Sequence, residues 1–353
     1  MLLYIHIPFC DSKCGYCAFN SLTNMIHYKK EYLEAIKADL IHSLNLVTSL
    51  NNGLLKKLDS IYIGGGTPNT LAPKDYEDIF NILQKYISKD TEINIELNPN
   101  ASKFEVLWEF KNLGINRFSI GIQSFREDKL KLLDRIHSVE SAKEFIQKAI
   151  KCDIYTSIDL IYDTRLDSKD SIKEELNLAS SLGIGHISCY TLSIDENSRF
   201  YTKNKNPTLD SSLCYELKER LELLGFNQYE VSNYAKTHKS KHNLGYWQYK
   251  DYIGIGLGAV GKINNKRFYK QDNFQSYLKN PFQYKIEILS KNDIILEKIF
   301  LGVRSEVGVN PSIIKNKNKL EILVENKKCI LKNNRIYNTN YFLADEIALW
   351  LEN

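Results

Sequence analysis

Three cysteines fall within eight residues, Cys10, Cys14 and Cys17, in the order C-x3-C-x2-C. They follow an alternating apolar run, Leu3, Ile5 and Ile7, which predicts a first strand, so the thiols stand on the loop where that strand ends. Thiols packed this closely read as metal ligands. Structural zinc takes four donors, usually as two separated pairs, and no second cysteine pair follows. A cubane iron-sulfur cluster normally takes four cysteines; held by three, it keeps one iron with an open position where a small molecule can bind. The competing reading is a cluster or zinc of structural duty, with His6 as fourth ligand.

Other polar groups stand where predicted strands end. Gly64-Gly65-Gly66-Thr67-Pro68 follows an apolar run from Leu58 to Ile63. It lacks the lysine of a phosphate loop and the spacing of a dinucleotide fingerprint; it suits close backbone approach to a small zwitterion, or simply a tight turn. Glu96 closes a third strand. Gln123 closes a fourth in Arg117-x-Ser119-x-Gly121-x-Gln123, Arg135 lies in Leu133-Asp134-Arg135-Ile136-His137, and Asp159 lies in a fifth. Carboxylates accept from hydroxyls or an ammonium, and arginine meets a carboxylate with a planar fork. Gly256-Leu257-Gly258-Ala259-Val260-Gly261 fits GxGxxG by letter, but a hairpin turn at Asn264-Asn265 follows where a helix is needed, which rules out a dinucleotide site. In His242-Asn243-Leu244-Gly245-Tyr246-Trp247, an imidazole of the kind that ligates heme iron sits beside Tyr246 and Trp247, rings able to pack on a porphyrin. An ordinary packed or solvated histidine is the alternative; His238, an exposed-looking neighbour among lysines, reads as a decoy.

The elements that must carry these residues alternate. Strands are expected at Leu2 to Ile7, Leu58 to Ile63, Glu92 to Leu97, Asn116 to Ile120, Tyr155 to Ile161 and His186 to Ser193, with helices between them, the first from Met25 to Ser49. Repeated strand-helix units predict an α/β fold of parallel strands with right-handed crossovers. After about residue 205 the alternation loosens into a helix from Ser211 to Leu224 and a polar loop from Tyr234 to Lys241. The last sixty residues predict two helices, Asp293 to Val303 and Leu343 to Leu351, around a hairpin turning at Asn333-Asn334.

Bulk properties narrow the classes. The 353 residues are 43% hydrophobic and 25% charged, enough for a sizeable core, and the net charge of +4 gives no basic stripe for nucleic acid. No apolar run is long enough to cross a membrane and no secretory leader stands at the start. The seven cysteines make no disulfide framework; Cys152, Cys189, Cys214 and Cys329 read as small buried hydrophobes. A cytoplasmic protein is expected.

The C-x3-C-x2-C stretch resembles the signature of the radical S-adenosylmethionine (SAM) superfamily. The resemblance implies a six-stranded partial (β/α)6 barrel over residues 1–205, a family-specific extension over 206–290 and a small α+β, winged-helix-like unit over 291–353. It implies a [4Fe-4S] cluster on Cys10, Cys14 and Cys17, whose free iron chelates SAM and whose electron breaks the sulfonium bond. Within the superfamily the chain resembles the family of oxygen-independent coproporphyrinogen oxidases and HemW-type heme chaperones. There, positions matching Tyr4, Phe19, Gly65, Gly66, Thr67, Glu96, Gln123, Arg135, Asp159 and Ala259 line the SAM pocket. The oxidases carry a further cysteine where this chain has Phe19, and an N-terminal extension; both marks are missing. His242, Asn243, Tyr246 and Trp247 match the HNxxYW motif of the chaperones, which implies heme as ligand and heme-requiring respiratory proteins as recipients. Porphyrin biosynthesis by coproporphyrinogen decarboxylation is the alternative, and radical modification of RNA a weaker one. Asp163 to Leu166 departs from the family's Gly-Leu-Pro. The resemblance leaves open SAM cleavage in turnover, a homodimer and peripheral membrane association.

Overall fold

The computed structural model describes residues 1–50, 55, 57–203, 205–209 and 211–352. Six parallel strands run side by side in chain order: β1 (Leu2–Ile7), β2 (Ser60–Gly65), β3 (Glu92–Leu97), β4 (Arg117–Gln123), β5 (Tyr155–Tyr162) and β6 (His186–Thr191). They are the six expected strands, with ends moved by a few residues. Helices Lys29–Leu50, Glu77–Leu83, Val106–Leu113, Val139–Lys151 and Lys169–Ser181 make the crossovers. Strand alternation sorts the side chains: Ile5, Ile7, Ile61, Ile63, Ile95 and Ile120 are buried in the core shared with the helices. The intervening residues form a different inner surface. Register places Tyr4 beside Tyr62, Tyr62 beside Asn94 and Glu96 beside Ser119, so the inner face is polar and aromatic.

The sheet continues past both ends of this run. Beyond β6 lie β7 (Asn227–Gln228) and β8 (Asn233–Ala235), antiparallel; beyond β1 lies β9 (Tyr252–Ile255), parallel to it, then β10 (Val260–Ile263), β11 (Lys266–Lys270) and β12 (Tyr284–Ile288), antiparallel. Among the described residues the sheet thus has twelve strands. The sequence reading misses β9 because four residues, one of them glycine, carry too little alternation to register. The polar loop expected from Tyr234 to Lys241 is shorter: Tyr234 lies inside β8 and Lys241 starts the helix Lys241–Trp247, with residues 236–240 as the loop between them.

The predicted hairpins form at Asn264-Asn265, between β10 and β11, and at Asn333-Asn334, between β13 (Cys329–Lys332) and β14 (Arg335–Asn338). Asn333 and Asn334 take φ of 49° and 55°, the left-handed pair that a two-residue turn needs. With helices Lys291–Val303, Lys317–Glu325 and Ala344–Glu352 this hairpin encloses a second core of Ile299, Val303, Leu323, Ile336 and Ile347. Among the described residues no helix is long and apolar enough to cross a membrane.

Candidate functional site

The cysteine loop leaves the end of β1 and is closed by a short parallel pairing of Phe9–Cys10 with Leu22–Thr23. All three thiols are half-buried and free. Each has its own polar neighbour: Cys10 Sγ lies 3.4 Å from Thr67 Oγ1, Cys17 Sγ 4.0 Å from Ser21 Oγ, and the Arg135 Nη1–H donates to Cys14 Sγ at 3.3 Å. Burial pushes the Cys10 thiol up, and the Thr67 hydroxyl pulls the other way. Among the described residues no three His, Cys, Asp or Glu side chains converge as they would on one metal ion. His6 is not a spare ligand, since its Nε2 meets the Asn20 carbonyl at 2.8 Å and its Nδ1 the Tyr4 hydroxyl at 3.0 Å. Three separate sulfurs on one loop suit a cluster that takes one sulfur per iron. Such a cluster would supply one-electron reducing chemistry.

β2 runs into the glycine turn over this loop. Gly65 has φ of 118°, outside the range of ordinary side chains, and its N–H donates to Glu96 Oε2 at 3.1 Å. Gly66 donates to the Ile7 carbonyl at 2.7 Å, and a Cβ there would stand 2.6 Å from the Pro8 carbonyl oxygen. The turn is therefore pressed against the cysteine strand, main chain on main chain. Glu96 also accepts from the Tyr62 hydroxyl at 2.7 Å. Desolvation raises its carboxyl from 4.5 to about 7, against the pull of the Tyr62 and Gly65 donors.

Further along the strand ends, Gln123 occupies a bulge between β4 and β5 with φ of 65°. Arg135 Nη2–H donates to the Gly121 carbonyl at 2.5 Å, while its Nε is buried without a partner among the described residues. Asp159 accepts from Ser119 at 3.4 Å, and burial raises its carboxyl. Arg135 ties this group to the loop through Cys14.

A cavity of about 890 Å³ lies along the inner face of β1, β9 and β10, bounded on the far side by the helix Lys291–Val303. Tyr4, Phe19, Gly65, Glu96 and Ala259 line one end; His242 and Tyr246 line the other. The cysteines, Gly66, Thr67, Gln123, Arg135, Asp159 and Trp247 are not part of this wall. The loop Gly256 to Ala259 is fixed from behind: Asp39 Oδ2 accepts from Gly256 N–H at 3.1 Å, and the Tyr32 hydroxyl donates to the His6 carbonyl and accepts from Leu257 N–H.

The HNxxYW residues form the helix Lys241–Trp247, which sits over the strand starts, opposite the cysteine loop. Glu92, first in β3, accepts from the Lys241 and His242 N–H groups at 3.0 and 3.1 Å, and its Oε2 also meets His238 Nε2 at 2.7 Å. His238, stacked on Tyr155, is thus a bracing group. Gly245 lets the helix rest on Leu2, whose side chain would stand 2.6 Å from a Cβ there. His242 is 1% exposed; its Nδ1 lies 2.7 Å from Ser60 Oγ and its Nε2 has no partner among the described residues. Burial lowers its pKa to about 3, so the ring is neutral with a nitrogen to spare. Tyr62 and Tyr246 pack on it at 5.0 and 4.8 Å between centroids. Trp247 Nε1 is also buried without a partner.

Sequence reasoning did not find Tyr62, Ser60, Glu92 or Asn20. Tyr62 was within reach, because alternation in Ile61-Tyr62-Ile63 turns it to the same face as Tyr4. Glu92 and Ser60 meet His242 only through the folded chain.

A run of parallel strands with a three-cysteine loop at their ends and a polar inner face defines a radical SAM fold, and residues 4–179 match the Radical SAM superfamily. The structure is similar to that of the coproporphyrinogen III oxidase HemN of Escherichia coli, with TM-score 0.82 over 99% of this chain and 90% of that one at 19% identity, a likeness of fold. Sequence comparison goes further. The chain is 36% identical to the heme chaperone HemW of Buchnera aphidicola subsp. Acyrthosiphon pisum over 84% of this chain and 80% of that one. It is 30% identical to HemW of Bacillus subtilis (87% and 84%) and 34% identical to HemW of Escherichia coli (74% and 70%). The chain belongs to the HemW family of radical SAM proteins, a family that implies a [4Fe-4S] cluster and SAM.

Proposed function

We propose that this protein is a cytoplasmic heme chaperone that holds a [4Fe-4S] cluster on Cys10, Cys14 and Cys17, SAM at the Glu96 end of the cavity, and heme at the His242 end, for delivery to heme-requiring respiratory proteins. The observation that carries the heme assignment is His242: a neutral imidazole, braced at Nδ1 by Ser60 and free at Nε2, in the wall of an aromatic cavity. Iron-ligating histidines are commonly oriented through their other ring nitrogen in this way. Tyr246 supplies an apolar face, and Trp247 lies on the same helix with Nε1 buried. At the opposite end Glu96 and the Gly65 to Thr67 turn suit the ammonium and hydroxyls of SAM, with Tyr4, Phe19 and Ala259 as walls. Arg135, Gln123 and Asp159 complete the polar rim beside the cysteine loop. Phe19, exposed at the loop's edge, stands where an oxidase would carry another cysteine, which disfavours coproporphyrinogen decarboxylation.

Hemin titration of the anaerobically reconstituted protein tests the assignment. A Soret shift is expected in wild type and is expected to be lost in His242→Ala, with iron-sulfur content unchanged. An unchanged shift in the variant removes His242 from the heme site.

A further inference from the structure

Tyr62 touches both ends of the cavity. Its hydroxyl donates to Glu96 Oε1 at 2.7 Å, while its ring lies 5.0 Å from the His242 imidazole, tilted by 34°. Among the described residues His242 Nε2 has neither a partner nor exposed surface, and Tyr62 and Tyr246 pack their rings on that imidazole. A planar metal complex reaches Nε2 only after the groups that bury it move. Tyr246 is backed edge-on by Tyr252 at 4.8 Å and is carried on the helix whose first N–H groups Glu92 holds. Tyr62 is backed by Tyr4, more loosely, at 6.2 Å between centroids, and its free end is pinned by Glu96. Tyr62 is thus the ring that can yield, and Glu96 decides how firmly it stays.

We propose that Tyr62 couples the two ends of the cavity: a cationic ligand taken up by Glu96 holds Tyr62 over His242 and weakens heme binding there, and heme at His242 weakens the ligand at Glu96. The coupling rests on the heme assignment above. A cation beside Glu96 favours its charged form, and a phenol donates more strongly to a carboxylate than to a carboxylic acid. Release of Tyr62 and occupation of the Glu96 end thereby oppose one another. Linkage makes the two effects equal, since a ligand shifts the ring only by as much as it binds the two ring positions differently.

The test is a hemin titration of the anaerobically reconstituted full-length protein, read at the Soret band, with and without saturating SAM. SAM is expected to weaken hemin binding by about fivefold or more, the lower end of ordinary coupling between sites. In Tyr62→Phe, which keeps the ring and removes its tether, the ratio is expected to fall to about one. The reciprocal titration of SAM with and without hemin must return the same wild-type ratio by linkage, and the wild-type hemin ratio is read whether or not the variant folds. Equal hemin affinity in the two conditions, or a wild-type ratio in Tyr62→Phe, overturns the coupling while leaving heme binding intact. Absence of any Soret shift in wild type overturns the heme assignment, and the coupling with it.

Discussion

The two ends of the barrel are built in different ways. At the cysteine end, residues 8 to 23 close a loop through their own short pairing, the neighbouring glycine turn locks on by direct main-chain contact, and Thr67 and Arg135 reach in to Cys10 and Cys14. At the His242 end, hardly anything is local. The helix Lys241–Trp247 is held by Glu92 and Ser60, about 150 and 180 positions away. The first end is specified by a motif and the second by the closure of the whole fold, so damage to one should leave the other standing.

The sharpest test of that independence is Cys14→Ala. Iron and sulfide after reconstitution are expected to fall to background, while hemin still shifts its Soret band; loss of both signals would mean that the ends share one support. Next in size is Glu92→Ala, which strips the acceptor from two backbone N–H groups and from His238. Each stranded donor costs about 1–3 kcal/mol. The urea midpoint should drop and hemin binding weaken, with iron content kept. Gly66→Ala reverses the pattern: a Cβ forced against the Pro8 carbonyl costs about 1–3 kcal/mol as overpacking does, and cluster content should suffer while hemin affinity does not.

The smallest effect is a difference in pH dependence. Glu96 titrates near 7 in the folded chain against an ordinary 4.5, so the folded state binds more protons between those values. Its contribution is fully present below about 4.5 and is lost as pH rises through about 7. His242, lowered from 6.5 to about 3, acts in the opposite sense: its contribution is present above about 6.5 and is lost as pH falls through about 3. Urea midpoints at pH 5 and pH 8 read the balance. Glu96→Gln should make the change on raising the pH more favourable and His242→Ala less so. Identical shifts in the two variants would refute the assignment of opposite signs to the two ends.

This contrast also explains what the sequence made legible. The six central strands and the cysteine loop follow from alternation and spacing within short windows, and Tyr4, Gly65 and Glu96 fall into place once the strands pair in order. β9 escaped because four residues hold too little period. The bracing of His242 escaped for a different reason: Glu92 looks like an ordinary strand residue until the chain returns 149 positions later to set a helix start on it. His238 showed the reverse, appearing as a solvated side chain among lysines and proving to be stacked on Tyr155.

β1 is an interior strand only because Tyr252–Ile255 lies along its outer side. A fragment ending before residue 227 would keep the cysteine motif and the crossovers of the first half, yet it would expose β1 as a bare edge, with a row of unpaired amides and carbonyls inviting another chain to dock. Such a truncation should self-associate rather than yield a minimal cluster-binding protein. The late strand is therefore a guard against misassembly for the earliest one.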